Sequence, residues 1–463
     1  FDTARVAYGQ YESPLASPMI QFAEYEPKQG LHIEDAALCG GCHTLITGTV
    51  DLEGMPTGDE FVEQATYHEW LNSTFSGDEG GATCQQCHMP SLGPEEIHLI
   101  AGFETPARTP FYLHEFAGAN TLMLKLIKEN ASELGVPATD DQFDATIAAT
   151  NNLLQSQSLD LSMEFIDRTF DNVVLELRLE NLAGHKFPSG YPSRRLVVEF
   201  VVDDEDGQTI FQSGVYENDF SLANEDVPFE PHHEVISSPT QVQIYELVMG
   251  DIEGNFTTVL DRAFEPLKDN RLVPKGFTTT HFAYDTTLMA GAVLLDADFN
   301  KEFGTEGSGT DHITFEVPLD GYDGPLHIEA RVHYQSLPPR WMEEIFTVDT
   351  EPINSFQAMF DAADQSPVLI DEVMMDLNDY VGIQGSEQRP FALYPTIGRG
   401  DVVFTAPQRG QMRVFGLQGV LVATYEFKGG RNFMQLNLAA GQYIVLRDFG
   451  DSTVVDRITI TSN

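Results

Sequence analysis

One short pattern, used twice, constrains this chain more than any other feature. Residues 39–43 read Cys-Gly-Gly-Cys-His and residues 84–88 read Cys-Gln-Gln-Cys-His, and together they use all four cysteines of the 463-residue sequence. Two thiols three positions apart, with an imidazole directly after the second, can fasten a single haem. Each thiol forms a thioether with one vinyl group, and the histidine lies under the iron as an axial ligand. Paired C-x-x-C motifs also build tetrathiolate zinc sites, and cysteines of exported proteins also form disulfides. Neither alternative asks for a histidine after both pairs. With 13 histidines in 463 residues, chance puts one at both places in roughly 0.1% of cases. The leading expectation is two covalently bound haem c groups. Cys39, Cys42, Cys84 and Cys87 hold them, with His43 and His88 on the irons.

Acidic residues outnumber basic ones 72 to 25, a formal charge of −47. Such a surface repels nucleic acid and anionic lipid and suits an exported protein in salty water, where screening limits self-repulsion. It favours cationic partners and divalent ions as a general field effect, while two haems in one chain call for redox partner proteins or copies of the chain itself. No apolar run reaches the ~20 residues a transmembrane helix needs. The sequence starts at Phe1 with no charged and apolar leader, so it reads as a mature chain whose signal peptide has been removed. The expected location is extracellular or at the cell surface.

The hydrophobic period divides the chain. Residues 61–75 suggest a helix with Phe61, Ala65, His68, Asn72 and Phe75 on one face. Residues 120–134 and 140–156 give two further helices, capped by Asn120 and by Thr139 or Asp140. From about residue 160 the period becomes two: Val173, Leu175, Leu177 and Leu179 alternate with polar or outward-facing residues, as do Leu196, Val198, Phe200 and Val202. Asp206-Gly207 is a hairpin signal, and strands are expected at 242–248, 278–284, 313–317 and 326–334. Residues 352–376 read as helical, and six short strands follow from about residue 389. The expected fold class is multidomain, a small mainly α or irregular dihaem domain followed by all-β domains of antiparallel sandwich type. Its parts are a dihaem domain (1–158), a β-sandwich (159–347), a helical connector (348–388) and a C-terminal β-sandwich (389–463).

Each iron needs a second axial partner or an open position, and that choice separates electron transfer from catalysis. Any single histidine is more often a hydrogen-bonded core or surface side chain, but two irons raise the count required. His114 lies in the loop feeding the first good helix. His32 is too close to Cys39 to swing over its own haem, yet is placed for a neighbouring one. His185 lies between Gly184 and Gly190, which allow a backbone to approach a flat cofactor closely. His68 is the fourth candidate; His98 and the pair His232-His233 rank behind.

Several stretches together resemble exported bacterial multihaem c-type cytochromes: residues 32–44 (HIEDAALCGGCHT), 63–72 (EQATYHEWLN), 84–90 (CQQCHMP), 114–120 (HEFAGAN), 184–195 (GHKFPSGYPSRR), 242–246 (VQIYE) and 268–277 (KDNRLVPKGF). The resemblance covers the first ~345 residues and implies electron transfer, with His32, His114 and His185 favoured over His68. Residues 393–395 (LYP), 414–419 (VFGLQG) and 438–445 (LAAGQYIV) resemble the β-sandwich sorting domain of type IX secretion. Thr396 stands where that module's start usually carries Asn.

These readings converge on an extracellular dihaem cytochrome that carries electrons, with copies able to join into a haem-chain filament. The competing reading is a haem enzyme acting on a small nitrogen oxide or peroxide at an open iron. No acid/base constellation accompanies the motifs, which favours a carrier over a catalyst. A calcium site is conceivable at residues 203–207, where oxygens cluster at a turn; a solvated hairpin tip is the plainer reading.

Overall fold

Alternating apolar residues dominate the chain, and the computed structural model is accordingly mostly strand. It describes residues 5–77, 80–93, 97–98, 107–225, 228–302, 304–378, 393–394, 397–398, 400–416, 419–450 and 453–461. The chain forms two compact units, one of residues 1–164 with 174–379 and one of residues 165–173 with 380–463.

In the larger unit the first elements are β1 (Val6–Gly9), α1 (Ala16–Ala23), β2 (Glu26–Gln29), α2 (Ala37–Gly40), β3 (Leu45–Val50), β4 (Pro56–Gln64), α3 (Thr66–Leu71), α4 (Cys84–His88), β5 (Ile97–His98), β6 (Ala107–Arg108), α5 (Thr121–Glu129) and α6 (Asp140–Gln157). Then come β7 (Leu159–Arg168) and β8 (Asn172–Asn181), of which residues 165–173 count with the smaller unit, and β9 (Arg195–Asp204), β10 (Thr209–Ser213), β11 (Val235–Ile236), β12 (Ile244–Gly250), β13 (Phe256–Thr257), β14 (Glu265–Asp269), β15 (Lys301–Glu302), β16 (Thr305–Glu306), β17 (Thr310–Pro318), β18 (Leu326–Gln335), α7 (Arg340–Glu343), α8 (Glu351–Ala362) and β19 (Val368–Leu377).

Two sheets form its core. One has the order β13-β12-β9-β18-β19, with β10 on β9 and β14 on β12; the other runs β11-β17-β8-β7. Phe200 of β9 stacks on Phe315 of β17 with ring centroids 3.8 Å apart, so inward residues of the two sheets meet as in a sandwich.

The expected separate, mainly α dihaem domain is not there. The described part of the first 158 residues forms the two-stranded sheets β1-β2, β3-β4 and β5-β6, and these residues belong to the same compact unit as the sandwich. Packing supplies the reason. Phe61 on β4 is buried with Leu247, Met249, Ala263 and Trp341, while Leu122 and Leu126 of α5 pack on Phe360 and Ala363. These elements have too little apolar surface for a core of their own and bury it against later parts of the chain, β12 with α7 and α8, instead. Residues 61–65 alternate buried and half-buried; 61–64 are strand, Ala65 precedes the helix, and the helix shrinks to Thr66–Leu71.

Two other elements depart from the sequence pattern. Residues 278–284 are not a strand, because the Asn72 side chain takes the backbone of Thr278 in both directions at 3.0 Å. Residues 368–377, expected as helical, pair along β18. Caps agree with the sequence: Asn120 Oδ1 accepts from Met123 N at 3.0 Å, and Thr139 forms a capping box with Gln142. Among the described residues no helix is long and apolar enough to cross a membrane.

The smaller unit holds β20 (Leu393–Tyr394), β21 (Ile397–Gly398), β22 (Asp401–Ala406), β23 (Gly410–Gly416), β24 (Leu421–Phe427), β25 (Gly430–Gln435), β26 (Gly441–Asp448) and β27 (Thr453–Ile460). Its sheets run β20-β22-β25 and β21-β27-β26-β23-β24 over a core that includes Phe404, Met412, Val414, Val445 and Ile458. Arg447 is fully buried, paired with Asp456 at 2.6 Å and lying 4.7 Å from the Phe404 ring centroid. Pro395, Thr396, Leu417 and Gln418 of the sorting-domain resemblance lie outside the described residues.

Candidate functional site

The local sequence starts α4 at the first cysteine of its motif. Gln86 Oε1 accepts from the Thr83 amide at 2.7 Å and the Thr83 side chain accepts from the Gln86 amide, closing a capping box. Helix positions i, i+3 and i+4 share a face, so Cys84, Cys87 and His88 stand side by side. The first motif makes one equivalent turn, with the amides of Cys42 and His43 both donating to Cys39 O at 3.0 and 2.9 Å.

The four cysteines are free thiols, and the two motifs adjoin. Burial, then the neighbouring Cys39 thiol, push Cys84 up to about 12; burial raises Cys87 too. Gln85 Nε2 donates to Ile33 O and Asp35 O, both at 2.9 Å, which ties α4 to the turn ahead of α2. Tetrathiolate zinc needs its sulfurs around one point. Among the described residues, the one group of three or more His, Cys, Asp or Glu with ligand atoms within 4.8 Å of each other is His232, Asp296 and Asp311.

That group is a proton network. His232 Nδ1 faces the side-chain amides of Gln243 at 2.9 Å and Asn270 at 3.0 Å. The Asn270 amide is fixed by Ile244 O and Glu246 N. Nδ1 is therefore the acceptor, and Nε2–H donates to Asp296 Oδ2 at 2.9 Å.

The informative geometry lies at His88. Its ring and that of His185 are 6.3 Å apart between centroids, with planes 13° from parallel. Each ring is oriented from behind: His88 Nδ1 meets Ala117 O at 2.6 Å, and His185 Nδ1 meets Lys186 O at 2.7 Å. A carbonyl only accepts, so both Nδ1 atoms carry a proton, and in the neutral tautomer that this selects the Nε2 atom has the free lone pair. An iron bound at about 2.0 Å by each of two Nε2 atoms, with the ring centroids about 1 Å further out, needs a centroid separation of about 6 Å. The 6.3 Å separation of the pair matches that value. Burial is the main cause lowering the His185 pKa, and His88 and Arg194 add to it, which keeps the ring in the neutral form that binds metal. Leu31, Leu38, Leu45, Ile46 and Phe116, close in sequence to the two C-x-x-C-H motifs or to Ala117, are exposed, apolar surface of the kind a flat hydrophobic cofactor would cover.

The other candidates are not brought together in this way. His43 is exposed, and among the described residues no second imidazole stands opposite it at such a distance. His32 is exposed and edge-on to Tyr8 at 5.3 Å. His114 is exposed and edge-on to Phe116 at 5.8 Å. His68 is half-buried on α3, its Nδ1 without a hydrogen-bond partner. The side chain of His98 lies outside the described residues. At the hairpin tip, Asp204 Oδ1 accepts from the amides of Asp206 and Gln208 at 2.9 and 2.8 Å, closing the turn.

Sequence reasoning passed over α3 as a hub. Tyr67 fills the space beside Gly40, where a Cβ would come within 2.7 Å of its ring. Trp70 Nε1 donates to Ala82 O at 2.8 Å, just ahead of α4. A Cβ on Gly184 would lie 3.2–3.3 Å from Phe75 and Trp70, so that glycine admits these aromatic side chains. Between Tyr67 and Trp70, Glu69 is fully buried and meets Arg271 at 3.2 Å; Arg271 holds Asp269 at 2.7 Å, which holds Lys186 at 2.7 Å. The available signal was charge embedded among aromatic residues (Tyr67, Trp70) and beside the His185 loop, at Glu69 and Lys186.

No family model and no curated protein matches the sequence. Among solved structures, the chain is similar to a penta-heme cytochrome c552 from Thermochromatium tepidum (16% identity, TM-score 0.41, covering 80% of this chain and 68% of that one). It is also similar to HBP35 of Porphyromonas gingivalis (14% identity, TM-score 0.18, covering 68% and 69%). A third is the BSP domain of a biofilm associated protein (8% identity, TM-score 0.17, covering 68% and 55%). At these scores the likeness carries no functional argument, which rests on this chain's own residues.

Proposed function

We propose that the chain is an extracellular dihaem c-type cytochrome that passes electrons between proteins. The observation that carries this is the His88–His185 pair, two imidazoles with Nδ1 anchored, 6.3 Å apart, beside two free thiols on the same helical face. Cys84 and Cys87 hold one haem, with His88 and His185 on its iron; Cys39, Cys42 and His43 hold the other. The bound iron supplies a one-electron couple, and two imidazoles leave it no position for substrate. Contact between Cys39 and Cys84 favours close approach of the two groups and rapid exchange between them. The net charge of −47 suits a protein outside the cell, and the C-terminal β unit serves export in this reading.

Two haems span only part of one subunit, so a longer path needs redox partners or copies joined head to tail. In the latter case the exposed His32 is the residue offered to the His43 iron of a neighbouring copy. Mass spectrometry of the intact protein should show two covalent haems. Absorption and paramagnetic resonance spectra should show low-spin six-coordinate iron at the His88 site. A chain without haem, or a wholly high-spin spectrum, refutes the proposal. Electron microscopy showing monomers under all conditions removes the filament alone.

A further inference from the structure

Around His185 the fold buries four charged groups that the ligand pair itself does not use. Glu69, Lys186, Asp269 and Arg271 are each at most 8% exposed. Two acids and two bases cancel, as a buried network must to avoid a large desolvation penalty. The network is also directed. Glu69 Oε2 accepts from the Lys186 backbone N–H at 3.2 Å and from Ser189 Oγ–H at 2.6 Å. The Lys186 carbonyl, on the same residue, accepts a hydrogen bond from His185 Nδ1–H. The Lys186 side chain is held at its far end by Asp269 and by Leu288 O at 2.9 Å. Asn181 Nδ2 secures the His185 carbonyl at 2.8 Å. Every polar handle named here on residues 185 and 186 is thus held, and the handle from the haem-motif side of the chain is Glu69, on α3.

From this geometry we infer that Glu69 is the positioning residue for His185: it holds the ring in line with His88 and sets, through its buried charge, the potential of the iron that pair binds. The inference rests on the haem reading above. A carboxylate in a low-dielectric site acts over a few ångströms with little screening, and it favours the oxidised, more positive iron. The hydrogen bonds from Glu69 lead through Lys186 to His185, so its effect should fall on the couple of that iron.

The test is a spectroelectrochemical titration of the full haem-loaded chain, as wild type, Glu69→Gln and Ser189→Ala. Glu69→Gln keeps the shape and one acceptor oxygen but removes the charge. One couple should move upward by roughly a tenfold change in its oxidised-to-reduced ratio, about 59 mV for one electron, while the other stays. Ser189→Ala keeps all four charges but takes a hydrogen bond from the carboxylate, so the same couple should move downward. The opposite signs separate positioning by charge from general loosening, and Ser189→Ala keeps the test decisive if Glu69→Gln does not fold. Both couples unmoved, both moving together, or both variants shifting the same way overturns the inference while leaving the haem reading intact. A wild-type chain lacking haem overturns both.

Discussion

Replacing Lys186 by methionine keeps most of the side chain's apolar stem and removes one of two cations from a fully buried network. The lysine is 0% exposed, and its ammonium lies 2.7 Å from Asp269 Oδ2 and 5.9 Å from the centroid of Phe277. Burial lowers its pKa, against the pull of Asp269. Without it, Arg271 alone faces Asp269 and Glu69, and the interior carries a net negative charge. Removing one partner of a buried pair costs about 3–5 kcal/mol. The double variant Lys186→Met/Asp269→Asn restores neutrality, with Glu69 facing Arg271, and should recover at least about 2 kcal/mol of the loss, a coupling of the size seen for residues in one network. Both tryptophans, Trp70 and Trp341, lie in the larger unit, so urea unfolding followed by tryptophan emission reports on that unit rather than on the C-terminal strands. A single variant within 1 kcal/mol of wild type, or a double variant less stable than the single one, refutes the account of this network as a balanced set. The single variant should also loosen His185, visible as a high-spin fraction in its absorption spectrum.

Three further outcomes follow from the same geometry. His185→Ala should leave two covalent haems by mass but convert one to a high-spin or ligand-accessible iron; two unchanged low-spin signals would remove His185 from the site. Cys84→Ala with Cys87→Ala should lose a single haem and keep the one at Cys39 and Cys42, checked by intact mass. The third concerns Asp298, which burial and then Asp296 push up to about 7. A carboxyl whose folded pKa lies above its unfolded value binds protons more tightly when folded, so its contribution to stability falls as pH rises from about 4 to about 7 and is flat above. Asp298→Asn should therefore be more stable than wild type at pH 8 and nearly equal to it at pH 5; the same difference at both pH values contradicts the assignment.

Part of the site is legible in the chain because it is local. Cysteines at i and i+3 and a histidine at i+4 share a face on any helical turn, so Cys84, Cys87 and His88 follow from spacing alone. Thr83 and Gln86, which start that turn, can be read in the same way. The alternation at 173–179 and 196–202 gives strands because pleating has a period of two. The segment 61–75 shows the limit: Phe61 and Ala65 suit a helix face and a strand face alike, and burial against Leu247 and Trp341 decides for strand. The same competition decides residues 278–284, where the Asn72 side chain replaces a neighbouring strand.

By itself, then, the sequence determined the cofactor chemistry to expect, the helical turns that carry it and the strand-rich character of the later residues, all consequences of spacing within a few residues. Only the tertiary structure decided that the motif-bearing residues share one unit with the sandwich, because elements with so little apolar surface must bury it against something else. It also singled out His185, 97 positions beyond His88 in the chain, as the imidazole that faces it. Glu69, Lys186, Asp269 and Arg271 form a network there for the same reason: buried charge is tolerated only where opposite charge meets it, and that meeting is made by the fold, across about 200 residues of chain, rather than by any pattern along it.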